Sequence, residues 1–155
     1  MSQGDDFWSE FMKKWRFNTK AIHGKVDIGD ETGSMATPIY QTAAFAHESA
    51  ESIEHVFNGR QSGYIYSRIS NPTVSAFESV VNVLHAGRGA SAVASGMAAI
   101  QMVVTTLCQS GDHVVSSSSL FGGTYYLFKD ISAANSVSFT YVSPSDIDGF
   151  ESAIT

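Results

Sequence analysis

The chain has one cysteine, Cys108, in 155 residues. No internal disulfide framework can hold it together, and a lone thiol fits a reducing compartment. With no basic neighbour in sequence, Cys108 reads as a small packing residue and not as a reactive thiolate. Positive charge is scarce as well: nine Lys and Arg stand against fifteen Asp and Glu, a formal net charge of -6. That balance excludes a basic groove for nucleic acid and a polybasic membrane patch, so an anionic ligand must be held by local groups. No long apolar run is present. The stretch 92–107 is broken by Ser95, Gly96, Gln101, Thr105 and Thr106, which does not suit a membrane span. The histidines, His23, His47, His55, His85 and His113, lack ligand spacing and a cysteine partner set, so no metal site is expected. Asp5, Asp6 and Glu10 near the N-terminus, with no hydrophobic signal core, make the cytoplasm the expected location.

What the chain does contain is a globular composition, 43% hydrophobic and 12% aromatic, enough to bury the core of one ordinary domain. Phe7, Trp8, Phe11, Met12 and Trp15 fall on one side of a helix, which either packs on its own domain or docks on a partner subunit. From Asn18 to Ser70 the pattern is broken by Gly, Pro and polar residues, as in an extended arm or a disordered connection. Residues 1–70 are therefore read as an N-terminal arm with an amphipathic helix, which packs on its own domain or on a partner subunit.

Residues 71–155 read as the start of a larger domain. Asn71 suits an N-cap and Pro72 the first helical position, followed by the apolar stripe Val74, Phe77, Val81 and Leu84. That helix is expected to end near Ala86-Gly87. A buried strand is expected at 90–94, then a helix through Met97, Ile100, Val103, Val104 and Leu107, stopped by Gln109-Ser110-Gly111-Asp112. A strand at 113–116, a glycine loop at 120–124, a helix at 125–132, a strand at 137–142 and a helix opening at Ser143-Pro144 complete the alternation. Strands and helices at crossover spacing favour an α/β fold, a mainly parallel sheet with helices on both faces. About three strands would leave an open edge and uncovered apolar faces, so a C-terminal continuation is expected.

Three places have the composition of a ligand site. Ala94-Ser95-Gly96-Met97-Ala98-Ala99 is a small-residue turn from a strand into a helix. Ligands bind at such places in open α/β sheets, and the helix N-terminus offers unpaired N–H groups that Gly96 lets a phosphate approach. The same small residues also serve close helix–sheet packing, and they match neither dinucleotide nor P-loop spacing. Leu120-Phe121-Gly122-Gly123-Thr124 follows a strand; Phe121 is either a ring for a flat ligand or a core residue beside a turn. Tyr64-Ile65-Tyr66-Ser67-Arg68 places an arginine, suited to clamp a phosphate, next to a tyrosine hydroxyl. Arg68 is equally a surface side chain until a partner is found.

Taken in order, these segments resemble the Cys/Met metabolism family of fold type I pyridoxal 5'-phosphate (PLP) enzymes. The similarity runs through Thr19-Lys20-Ala21-Ile22-His23, Thr32-Gly33, Pro38-Ile39-Tyr40-Gln41-Thr42, Tyr66-Ser67-Arg68, Asn71-Pro72-Thr73, Ser95-Gly96-Met97-Ala98-Ala99 and Phe121-Gly122-Gly123-Thr124. Any one is weak; the ordered set is specific. Val114 to Tyr125, with Ile69 before Asn71-Pro72-Thr73, looks most like the O-acetylhomoserine sulfhydrylase branch. Cystathionine gamma-synthase and methionine gamma-lyase are the alternatives within the family.

The resemblance implies an aspartate aminotransferase-like fold, and that the turn at Ser95, Gly96 and Met97 binds the PLP phosphate. It implies that Tyr66 and Arg68 reach the same phosphate from a neighbouring subunit, and that Phe121 stacks on the pyridine ring. A homo-oligomer, a dimer of dimers with shared sites, follows from it. The family commonly has Tyr where Phe121 stands, so any role of that hydroxyl is in doubt here. PLP also needs a lysine and an acid at the ring nitrogen. Lys13, Lys14, Lys20, Lys25 and Lys129 match no family catalytic position, so no catalytic residue is assigned in this chain. The parent enzyme is expected to replace the acetate of O-acetylhomoserine by sulfide or a thiol, and this portion alone to be inactive. A reading of another class is a non-catalytic subunit that pairs with an intact homologue.

Overall fold

A computed structural model describes residues 14–24, 34 and 36–154. They fall into two compact units, divided between Ala92 and Val93.

The first unit holds α1 (Phe17–His23), α2 (Ala50–Phe57) and α3 (Pro72–Leu84). α3 starts as its sequence dictates. The Asn71 side chain accepts from Thr73 N at 2.9 Å, and Pro72 occupies the first turn, where its missing N–H costs nothing. α1 packs on α3, with Ser79 Oγ donating to the Gly24 carbonyl at 3.4 Å. The span 18–70, expected to be irregular, contains most of α1 and all of α2. α2 is eight residues long and buries none of them. It is held at its start by Ser49, which accepts from Ser52 N at 3.2 Å, and so short an element leaves little periodicity to read. The proposed aromatic helix at Phe7, Trp8, Phe11 and Met12 lies outside the described residues. The Trp15 ring meets His23 edge-on at 6.2 Å.

α3 ends in a Schellman motif: Gly87 N donates to Asn82 O at 3.0 Å and Ala86 N to Val83 O at 3.3 Å. The left-handed residue is Ala86, with φ 50°, and not the glycine beside it. Gly87 is needed for another reason, since a Cβ there would lie 2.7 Å from Asn82 Oδ1. Ala86→Gly relieves the left-handed Ala and is expected to stabilise by about 1 kcal/mol, read as a higher urea midpoint at unchanged slope. A midpoint at or below the parent's would contradict this.

The second unit holds α4 (Gly96–Leu107), β1 (His113–Ser117), α5 (Gly122–Asn135), β2 (Ser138–Val142) and α6 (Ile147–Ala153). β1 and β2 pair in parallel, in register from His113 opposite Ser138 to Ser117 opposite Val142, with α5 as the crossover. The core is Val104, Phe128, Ile131 and Val137, with Ile100 and the half-buried Cys108 packed against it. Phe128 and Phe139 stack at 4.6 Å, and Phe139 continues to Tyr141 at 6.5 Å. Burial pushes the Tyr141 hydroxyl above the usual tyrosine range, with Tyr125 adding to the effect.

Two expectations change here. Residues 90–94 are irregular and not a strand, and the described sheet has two strands and not three. A strand exists only with a partner, and among the described residues none pairs with this segment; Ala92 N donates instead to Glu78 Oε1 at 2.7 Å. α5 begins at Gly122 and runs to Asn135, longer at both ends than the expected 125–132. Glycines are tolerated in a first turn whose N–H groups have no intrahelical partner. Ser136, left-handed at φ 56°, closes it.

Candidate functional site

Within the second unit, Ser95 has extended φ and ψ of -160° and 161°, and its side chain caps α4 by accepting from Ala98 N at 3.1 Å. Its carbonyl accepts from Ala99 N at 3.0 Å. Two of the first four helical N–H groups are thereby satisfied. The remaining two, on Gly96 and Met97, have no acceptor among the described residues. The Gly96 α-carbon beside them is uncrowded: a Cβ there would meet nothing within 4 Å. An anion can thus accept two backbone hydrogen bonds at the positive end of a twelve-residue helix.

α5 starts in the same neighbourhood. Thr124, 6% exposed, donates its hydroxyl to Met97 Sδ at 3.8 Å, which ties the first turn of α5 to that of α4. Thr124 N and Tyr125 N both donate to the Phe121 carbonyl, at 2.9 and 3.2 Å, leaving the Gly122 and Gly123 N–H groups without an acceptor among the described residues. Phe121 itself is 76% exposed. Its ring lies outside the described core, with a flat apolar face open near the first turn of α4. The fit to a phosphorylated heteroaromatic group is therefore good: N–H donors for the phosphate, a free ring for the ring.

In the first unit, Tyr66 and Arg68 are brought together, the guanidinium lying 5.1 Å from the Tyr66 ring centroid. Such stacking limits the arginine's rotamers while leaving its N–H fork free for an anion. The backbone beneath them is held firmly. Tyr66 forms an antiparallel bridge with Ala44, Phe45 N donates to Ile65 O at 3.0 Å, and Ser67 N donates to Ala43 O at 2.9 Å. Asn71, read from sequence only as a cap, also donates to Tyr40 O at 3.0 Å and to Ser67 Oγ at 2.9 Å. It thereby fixes 38–42 against the Tyr66 segment, and Tyr40 N completes the junction by donating to Thr73 Oγ1 at 2.9 Å.

Sequence reasoning missed His47. Its Nε2 lies 2.9 Å from the Tyr64 carbonyl, which can only accept, so this nitrogen carries the proton. Nδ1 lies 3.3 Å from Ser52 Oγ. The imidazole thus links α2 to the strand-like segment that carries Tyr66 and Arg68. An isolated histidine gives no local pattern from which this could be read. Among the described residues no cluster of His, Cys, Asp and Glu could hold a metal ion, and no helix is long and apolar enough to cross a membrane.

Comparison with known proteins is consistent with this geometry. A sequence profile for Cys/Met metabolism PLP-dependent enzymes matches residues 18–155. An L-methionine gamma-lyase of Fusobacterium nucleatum subsp. polymorphum is 36% identical over 142 residues, covering 92% of this chain and 36% of that protein. An O-acetyl-L-homoserine sulfhydrylase of Thermus thermophilus is 41% identical over 114 residues, 74% of this chain and 27% of that protein. Among solved structures, a Campylobacter jejuni protein assigned as an O-acetylhomoserine (thiol)-lyase, with a pyridoxyl-lysine phosphate, superposes with TM-score 0.82 at 32% identity. The match covers 91% of this chain and 33% of that one. The chain spans about a third of the length of these relatives.

Proposed function

The chain belongs to the Cys/Met metabolism PLP-dependent enzyme family, and from that premise we propose that it is the phosphate-binding part of an O-acetylhomoserine sulfhydrylase. Bound PLP supplies an electron sink for negative charge developing at a substrate carbon. Ser95, Gly96 and Met97 hold its phosphate through the open N–H groups of α4. Phe121 covers one face of the ring, and Tyr66 and Arg68 of a neighbouring copy close on the phosphate. Residues 1–70 act as the arm that brings that copy into place, in a homo-oligomer. The two donors on Gly96 and Met97, without an acceptor among the described residues at the start of α4, carry the reading.

No lysine of this chain is given the role of attaching the cofactor, so the chain alone is proposed to bind PLP reversibly and to be inactive. Equilibrium binding followed by Trp fluorescence tests this. PLP is expected to bind at least about 10-fold tighter than pyridoxal, which lacks the phosphate, since charge-assisted hydrogen bonds are the strong ones. Equal affinities would remove the phosphate from the argument, and a borohydride-stable adduct at one lysine would overturn the reversible mode. The choice of branch rests on the resemblance of the run Val114 to Tyr125, with Ile69, to O-acetylhomoserine sulfhydrylases. In a polypeptide that contains this chain and supplies a cofactor lysine, turnover of O-acetylhomoserine with sulfide is expected to exceed that of O-succinylhomoserine and of methionine. Preference for methionine would assign the gamma-lyase branch instead.

A further inference from the structure

We propose that Gly123 is a positioning residue for Phe121: the ring keeps its orientation because residue 123 has no side chain. This rests on the reading of Phe121 as the residue that covers the cofactor ring. The two glycines after Phe121 are not equivalent. A Cβ built on Gly122 would meet nothing within 4 Å. A Cβ on Gly123 would lie 2.7 Å from Phe121 Cε1 and 3.2 Å from Cδ1, with Cζ at 3.7 Å. The ring therefore leans back over the bare α-carbon of the first turn of α5, in space that any larger residue would occupy. Few other contacts constrain it: Phe121 is 76% exposed and has no ring partner among the described residues. A methyl group at 123 must push the ring off, and an exposed ring turns away at little energetic cost.

Stability and binding should then move apart. Alanine in place of a helical glycine usually stabilises, so Gly123→Ala is expected to have a thermal midpoint equal to or above that of the parent. Its PLP affinity is expected to fall roughly 10-fold, the scale of one aromatic stacking contact. Gly122→Ala, built into open space, is expected to bind PLP within about 2-fold of the parent. In a Phe121→Leu background, Gly123→Ala is expected to cause no further loss, because there is no ring left to displace. A purely structural role for Gly123 would lower the midpoint and persist in that background, and either result overturns the inference.

The geometry is also read without PLP. The Phe121 ring should shift the Gly123 α-proton resonances, and the shift should vanish in Phe121→Leu; unshifted protons in the parent overturn the proposal. If the shift is present but Phe121→Leu binds PLP as well as the parent does, the ring is placed as described and the stacking reading is what fails, taking the positioning role with it.

Discussion

Phe128→Ala is expected to destabilise the second unit by about 3–5 kcal/mol, which is most of what a small domain has to lose. Phe128 is 7% exposed and lies in a core whose other buried members are Val104, Ile131 and Val137. Its ring stacks on Phe139 at 4.6 Å with 17° between the planes, so truncation removes both burial and an oriented aromatic contact. The cavity would open between α5 and the sheet, where β2 is anchored. Urea unfolding followed by circular dichroism checks this. A shift below about 1 kcal/mol would mean that the core collapses around the vacancy, at the low end of what such truncations cost. Phosphate binding should fall with the unit, since the turn at Ser95–Met97 belongs to a helix packed on that same core through Val104 and Ile100.

The second large effect concerns the phosphate. Arg68→Ala is expected to weaken PLP binding about 100-fold, the size of a desolvated charge-assisted contact, with little change in stability. Arg68→Lys keeps the charge but loses the planar fork stacked on Tyr66, and should recover only part of the affinity. A mixing experiment reads whether the site is shared between copies. Gly96→Pro removes one donor with little disturbance of α4, because proline suits the first helical position and Ser95 before it is already extended. Each variant alone should bind PLP poorly. Mixed and reassembled, one site per hybrid dimer would combine an intact Gly96 with an intact Arg68 from the other copy. Recovery of tight binding at one of the two sites in each hybrid, about a quarter of all sites after random 1:1 reassembly, is therefore expected, and no recovery would place Arg68 on its own subunit's phosphate, or on none.

Much of the second unit was legible in the sequence because its signals are local. The bounds of α4, β1 and β2 follow from short apolar runs between turn residues, and Ser95 reads as a cap before the residues it caps are known. α5 was legible in its middle and not at its ends, since a glycine pair is as good a loop as a helix start until the following turn is seen to close on the Phe121 carbonyl. The segment 90–94 misled for the opposite reason. Its apolar residues suit a strand, but pairing is a property of neighbours, and Ala92 found a carboxylate instead. At the end of α3, the sequence marked a stop near Ala86-Gly87 without telling which residue turns left-handed. The backbone placed that conformation on Ala86 and used Gly87 to clear Asn82.

The candidate site divides along the same line. Sequence alone determined which chemistry is present: small residues capped for a helix start, an aromatic before two glycines, and an arginine two residues after a tyrosine, in one order along the chain. These are properties of residue type and spacing, and they suffice to indicate the family. Tertiary structure decided which donors lack an acceptor among the described residues, that Phe121 faces outward, that Arg68 lies on Tyr66, that His47 and Asn71 hold the segment beneath them, and that the Phe121 ring leans over one of two adjacent glycines. Those facts depend on contacts between residues far apart in the chain. A local pattern cannot encode them, because whether a hydrogen bond is made or a space is empty is settled only when distant segments pack.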